Sequence, residues 1–278
     1  MFYLKFSDTA SRERAVKFPI FLMVSFLANL SLANASGEHA PTSHPPQSAA
    51  KESHSLHWAY GGEAGPEHWG ELTPDYKICE QGKLQSPIDL IWKKQSGQRS
   101  LIFYYTSTTY DVVDNGHTIQ VNVPAGNYAE IDGKRFELVQ FHFHAASEHT
   151  FSGKHFPLEA HFVHKNKEGK LAVVGVMFEA GKADPNLAKI FHNVPKKAGE
   201  KIEVSSTVNP ISLIPSNHSH YQYMGSLTTP PCSEGVNWTV LNTPKEISEE
   251  QIQIFNEYYA HNNRPLQAIH ERSPASSY

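Results

Sequence analysis

The chain has 278 residues, 39% of them hydrophobic, and 24 Lys plus Arg against 28 Asp plus Glu give a formal net charge of -4. That length and apolar content suffice for a sizeable core, which excludes a disordered tail or a minimal disulfide scaffold. So mild an acidity argues against nucleic acid or an anionic membrane as the main partner. The 17 His stand out, whereas the 2 Cys allow one disulfide and no Cys-based zinc cluster.

In chain order, residues 1–35 read as an export signal. Lys5, Arg12, Arg14 and Lys17 precede an apolar run from Phe18 to Leu32, and Ala33-Asn34-Ala35 supplies small residues for cleavage after Ala35. The apolar run is broken by Pro19, Ser25, Asn29 and Ser31, too interrupted for a span of about 20 residues. Residues 36–56 hold Pro41, Pro45 and Pro46 with His39, His44 and His54 among Ser and Ala, and read as a solvated tether. A folded domain is expected over 57–272 and a C-terminal tail over 273–278.

Within the domain, strands are predicted at 101–105, 118–123, 129–131, 137–144, 159–164, 171–178 and 236–241. Asp132-Gly133 suits a tight turn. The nearly continuous apolar run 171–178 predicts a strand covered on both faces. Helical periodicity is confined to 186–194 and 248–259, the second opening on Ser248 as N-cap with Gln251 three residues on. The outcome is a mainly β single domain.

The chemistry gathers in the run from Val139 to His144. Strand residues alternate faces, so Gln140, His142 and His144 share one face and Val139, Phe141 and Phe143 the other. Glu159, His161 and Val163 alternate in the same way. A hairpin turning near Ser152-Gly153 would set His161 opposite His144, or diagonal to it if the loop rearranges. Three neutral imidazoles without a Cys or a fourth protein ligand suit a catalytic zinc with one open position. Gln140 and Glu159 are placed to hold the outer nitrogens of those rings.

The motifs then become specific. Gln140–Thr150 (QFHFHAASEHT), Glu159-Ala-His161-Phe-Val163 and Ser226-Leu-Thr-Thr-Pro-Pro231 resemble the α-class carbonic anhydrases. His57-Trp-Ala-Tyr60, Gly65-Pro-Glu-His-Trp69, Gln85-Ser-Pro-Ile88, Asn115-Gly-His117 and Asn263-Arg-Pro-Leu-Gln267 follow in that family's order, so the likeness covers nearly all of 57–270. The fold this implies is mainly β (α+β), built on a large, mostly antiparallel central sheet with a few short surface helices. The implied activity is zinc-dependent, reversible hydration of CO2 to bicarbonate and a proton.

The resemblance also implies roles for single residues. His142, His144 and His161 take Zn2+. Thr228 accepts a hydrogen bond from the attacking hydroxide and donates its own proton to Glu148. Val163, Val173, Leu227, Thr229 and Trp238 form the substrate pocket; alternation alone already puts Val163 on the ligand face. His117 matches the proton shuttle, a task suited to an imidazole, and Tyr60 and Gln120 line the same water path. Cys79 and Cys232 are expected to pair, as exported members of the family do.

Two departures mark a subgroup. Ala145-Ala146 stands where animal members usually have Trp, and Met224 where they have Pro; both bear on pocket shape rather than on the reaction. A metal-free binding module on the same fold is the rival reading, and the presence of all three His opposes it. No H-E-x-x-H or G-x-S-x-G run is present to support a zinc peptidase or a serine esterase. The expected partners are CO2, water and bicarbonate, with sulfonamides and anions as inhibitors, no nucleic acid and no stable membrane span after cleavage. The product is expected to be exported, to a periplasm or beyond the cell, and a homodimer is left open.

Overall fold

The structure is a computed structural model that describes residues 57–91 and 99–277. The expected leader (1–35) and tether (36–56) lie outside the described residues. In chain order the elements are α1 (Trp69–Leu72), α2 (Ile78–Gln81), β1 (Asp89–Leu90), β2 (Leu101–Tyr104), β3 (Thr108–Asp114), β4 (Ile119–Asn122) and β5 (Tyr128–Ile131). They continue with β6 (Lys134–His144), β7 (Thr150–Phe151), β8 (Leu158–Lys165), β9 (Leu171–Ala180), α3 (Pro185–His192) and β10 (Lys201–Val208). β11 (His220–Ser226), β12 (Glu234–Ile247), α4 (Glu249–Tyr259) and β13 (Ala275–Ser277) follow, and short 3-10 turns lie at Gly62–Ala64, Pro74–Tyr76 and Pro210–Leu213.

An 11-stranded sheet runs in the order β10-β3-β4-β6-β8-β9-β12-β11-β13, with β5 also paired to β6 and β2 to β5. Its pairs are antiparallel except β9 with β12, which run parallel, and β1 with β7 form a separate parallel pair. The expected large, mostly antiparallel sheet with few short helices is the fold observed.

Alternation divides β9, buried from Ala172 to Phe178, between two cores. Val174, Val176 and Phe178 join Phe141, Phe143 and Phe162 in a larger core that also takes Leu187, Ile190 and Phe191 of α3 and Phe255 of α4. Val173 and Met177 face a second core with Ile88, Leu90, Trp238 and Val240. A fully buried Phe such as Phe141 contributes about 2–3 kcal/mol by removing its ring from water. Helices α3 and α4 pack against the first of these cores, and the site lies on the other face of the sheet.

Both predicted helices form where their caps put them. Asp184 accepts from the Asn186 and Leu187 N–H groups ahead of α3, with Pro185 in its first turn. Ser248 and Gln251 exchange side-chain-to-backbone bonds in a capping box at the start of α4. Six strands were not predicted: the two- or three-residue β1, β7 and β13, and the longer β3, β10 and β11. β10 is an exposed edge strand, and β11 buries His220, Gln222 and Ser226 beside its Tyr residues, so neither shows a clean apolar alternation. β3 supplies only short alternation ahead of the Asn115-Gly turn. Within the stretch expected as a tail, Ala275–Ser277 pairs antiparallel with β11.

The register of the ligand strands corrects the simple hairpin. His161 lies opposite His142, and His144 opposite Glu159, a shift of two residues from the expected pairing. The connection does not close as a hairpin, because β7 leaves it to pair with β1. A two-residue shift keeps every side chain on its face, so the three rings still meet.

Candidate metal centre and active site

β6 and β8 bring three imidazoles together on the second face of the sheet. Ring centroids lie 5.1 Å apart for His142 and His144, 5.4 Å for His142 and His161, and 4.4 Å for His144 and His161. One nitrogen from each ring lies within 4.8 Å of the others. The outer nitrogens are held: His142 Nδ1 donates to Gln140 Oε1 at 2.8 Å, and His144 Nδ1 to the Asn262 carbonyl at 2.7 Å. His161 Nε2 donates to Glu159 Oε1 at 2.9 Å. These bonds fix the tautomers and leave the Nε2, Nε2 and Nδ1 lone pairs free to face one another.

That arrangement fits a zinc ion. His144 Nε2 is buried with no hydrogen-bond partner, which costs about 1–3 kcal/mol unless something satisfies it. Burial, with the neighbouring imidazoles, pushes His142 well below the ordinary imidazole range, and burial also lowers His144. Both therefore present the neutral ring a metal requires. For His161 burial acts in the same direction, but the Glu159 charge and hydrogen bond overcome it and raise the pKa. The field that favours a proton on His161 equally favours a cation beside it.

Glu159 anchors this polarity. Its Oε2 accepts from the Glu148 and His149 backbone N–H groups at 2.8 and 2.9 Å, and its Oε1 from His149 Nδ1 at 2.8 Å as well as from His161. Burial opposes its charge, yet His149 and His161 hold the carboxyl well below the usual range. His149 Nε2 then accepts from Tyr223 Oη at 2.6 Å, and Tyr223 Oη lies 2.8 Å from Ser86 Oγ. A second triad of potential ligands, His149, Glu159 and His161, is therefore already bonded to itself. Gly175, opposite His161 in β9, makes room for the carboxylate, since a Cβ there would lie 2.9 Å from Glu159 Oε1.

Glu148 is fully buried beside the ligands, with Oε1 accepting from the Arg264 N–H at 2.8 Å. Its Oε2 lies 3.8 Å from His161 Nδ1 and has no hydrogen-bond partner, so the bond expected from Thr228 is not formed here. Thr228 is buried in the turn after β11, and Thr229 beside it accepts from the Cys232 N–H at 2.8 Å.

The expected apolar wall is a row across three strands: Val163 lies opposite Val173, and Val173 opposite Trp238. Leu227 packs against the same core. The Trp238 ring stands 4.8 Å from that of His161, edge-on at 76°, and its Nε1 donates to the Ser226 carbonyl at 2.9 Å.

His117 lies in a turn whose Asn115 Oδ1 accepts from the His117 and Thr118 N–H groups, both at 2.9 Å. Its ring stacks on Trp58 at 3.6 Å, with His57 at 5.1 Å and Tyr60 edge-on at 6.4 Å. Partial burial, then the His57 charge, lower its pKa. A cleft of about 560 Å3 opens between these rings and residues 258–262. Burial, then the Glu148 charge, push Tyr60 well above the phenol range, so it stays neutral. Gln120 lies opposite His142 in β4 and accepts from Asn115 Nδ2 at 3.2 Å, linking the ligand strand to the His117 turn.

Cys79 in α2 and Cys232 after Thr228-Thr229 form the expected disulfide. Gln85 Nε2 donates to the Cys232 carbonyl and Arg264 Nη2 to that of Cys79, so both ends are tied to the site's scaffold. Ala145 is buried at the end of the ligand strand, whereas Met224 is exposed on β11.

Sequence reasoning missed His149, Gly175, Tyr223, Asn262 and Arg264. Gly175 carried a local signal, a glycine within a buried apolar strand, which marks a close approach. His149, Tyr223, Asn262 and Arg264 act, through side chain or main chain, on partners that the fold brings near, and no spacing rule reaches across the 118 residues from His144 to the Asn262 carbonyl.

Residues 64–274 match the family described as eukaryotic-type carbonic anhydrase. A carbonic anhydrase of Pectobacterium carotovorum is 44% identical over 225 residues, spanning 81% of this chain and 92% of the relative. Among solved structures, a hyperthermostable carbonic anhydrase from an active hydrothermal vent chimney superposes with a TM-score of 0.76 at 46% identity, covering 80% of this chain and 100% of that one. The α-carbonic anhydrase of Thermovibrio ammonificans in complex with sulfanilamide gives a TM-score of 0.76 at 47% identity, covering 78% and 98%.

Proposed function

The chain belongs to the eukaryotic-type, or α-class, carbonic anhydrase family, an enzyme family of CO2 hydration, and on that premise we propose that it hydrates CO2 reversibly through zinc held by His142, His144 and His161. The observation that carries this reading is the convergence of three imidazoles whose outer nitrogens are all engaged, while His144 Nε2 is buried and unpaired. Zinc bound there supplies the Lewis acidity that, in carbonic anhydrases generally, makes a water acidic enough to act near neutral pH.

The chain's own residues do the rest. The wall of Val163, Val173, Leu227 and Trp238 receives CO2, which is apolar and has no group for a salt bridge to grip. Thr228 aligns the attacking oxygen by accepting its proton in a hydrogen bond. For that the Thr228 hydroxyl must donate elsewhere, and Glu148 Oε2, beside the ligands, is a buried acceptor without a partner. The Arg264 N–H holds the other oxygen of Glu148 in place. Thr229 borders the pocket.

His117 carries the released proton outward. Its lowered pKa keeps the ring mostly neutral at pH 7, ready to accept a proton and pass it to buffer. Tyr60 and Gln120 line its path, Tyr60 as a neutral phenol. The Cys79–Cys232 bond supports the reading of an exported chain, and among the described residues no helix is long and apolar enough to cross a membrane. The sulfanilamide complex of the Thermovibrio ammonificans enzyme motivates a sulfonamide as inhibitor here.

The test is the rate of acidification on adding CO2 to the purified protein, with and without a strong chelator or a sulfonamide. Acidification above background that the chelator abolishes and zinc restores supports the reading; a background rate from zinc-loaded protein overturns it.

A further inference from the structure

The segment leaving α4 grips both halves of the proposed machinery through one residue. Asn262 is buried, and its main-chain carbonyl accepts from the ligand His144 Nδ1 at 2.7 Å. Its N–H donates to the Ala145 carbonyl at 3.1 Å, and its Oδ1 accepts from the Ala145 N–H at 2.8 Å. The remaining carboxamide donors are both used: Nδ2 donates to the Phe143 carbonyl at 3.0 Å and to the His117 carbonyl at 3.1 Å. An Asn is the smallest side chain able to accept once and donate twice from one plane.

The turn that carries His117 needs such a tie. Gly116 takes φ +86°, and Asn115 and Gly116 are exposed. Its other anchors lie to either side of His117 or within the turn: Thr118 Oγ1 donates to the Phe143 carbonyl, Tyr259 Oη to Asp114 Oδ1, the Gly199 N–H to the Asp114 carbonyl, and the His117 N–H to Asn115 Oδ1 of the turn itself. Among the described residues, Asn262 is the one outside the turn that bonds the backbone of His117 while also bonding the ligand strand. That backbone is the pivot about which the imidazole swings, so its place sets the proton-transfer distance.

We infer that Asn262 is a positioning residue for proton transfer: its carboxamide fixes the pivot of His117 relative to the end of β6, while its main chain separately orients His144. The inference rests on the shuttle reading of His117. The division of labour follows from atom type. Substitution at 262 removes the tie to His117 but keeps the carbonyl that His144 uses.

The experiment compares wild type, His117→Ala, Asn262→Ala and the double variant as zinc-loaded full-length proteins, in weak buffer and with added imidazole, together with zinc content and chelator-driven zinc loss. A pivot displaced by about 1 Å predicts a kcat loss in weak buffer of roughly 10-fold to 10²-fold for Asn262→Ala. kcat/KM falls far less, imidazole restores kcat, zinc is retained, and the double variant is no slower than His117→Ala. If kcat and kcat/KM fall together with loss of zinc, Asn262 is merely structural and the inference is overturned. Wild-type buffer dependence in Asn262→Ala overturns it as well. If His117→Ala itself shows no buffer dependence, the shuttle reading has failed, which is a distinct result and removes the inference with it. Should Asn262→Ala fold poorly, Asn262→Ser, which keeps one hydroxyl donor, is read in the same way.

Discussion

His161 and Glu159, two residues apart on one face of β8, are joined by a 2.9 Å bond from His161 Nε2 to Glu159 Oε1. A carboxylate only accepts, so the ring must carry its proton on Nε2 and present Nδ1 to the other two imidazoles. The tautomer of a proposed metal ligand is thus set by a buried anion that four N–H donors keep charged.

Glu159→Gln should therefore loosen the metal. The amide is isosteric but presents an NH2 where donors converge, and it removes the charge beside His161. Zinc loss to a chelator should accelerate about 10- to 100-fold, followed by absorbance of a chromogenic chelator. Unchanged kinetics would show that the tautomer is set by something else.

Removing a ligand is the harsher test. His142→Ala leaves two imidazoles and should abolish both zinc retention and CO2 hydration, read by metal analysis and acidification on the same sample. Full turnover in that variant would refute the ligand assignment.

His164, on the core face of β8, makes stability depend on acid. It is fully buried against Tyr105, whose hydroxyl bonds its Nε2, and burial lowers its pKa to about 4 despite opposing help from the Phe162 and Ala172 backbone. The unfolded chain binds a proton below about 6.5 that the folded chain refuses until about 4. The stability is whole above 6.5 and declines as pH falls towards 4, by about 3 kcal/mol. His164→Gln, which does not titrate, should flatten urea-unfolding stability between those pH values by that amount. Parallel curves for the two proteins would mean that His164 does not sit neutral in the core.

The Cys79–Cys232 bond closes a separation of 153 residues. Chain entropy alone assigns such a loop a ceiling of about 5 kcal/mol. The paired substitution Cys79→Ser with Cys232→Ser should lower Tm clearly and raise the mobility of the Thr228 turn, seen as faster amide exchange at Leu227–Thr229. An unchanged Tm would assign the bond no part in stability.

Much of the site was legible without a structure because it is local. Period-two alternation puts His142 and His144 on one face with Gln140, and Glu159 with His161, whatever the strands pair with. His161 lies diagonal to His144, the second of the two expected pairings, and a shift by an even number leaves every side chain on its face. Ser248 and Gln251 marked the start of α4 for the same reason: a capping box is complete within four residues. The buried run 171–178 announced a central strand by composition alone.

What tertiary structure decided is everything that depends on a remote partner. Nothing near Asn262 announces that its carbonyl orients His144 while its amide holds His117, or that Arg264 N–H steadies Glu148 across 116 residues. Nor does β11, with its buried polar side chains, look like a strand until β12 and β13 flank it. Short-range backbone geometry is written into neighbouring residues, so side-chain facing can be read along the chain. Long-range hydrogen bonds depend on how the sheet and the segment after α4 come together, and that follows from burial summed over the whole core.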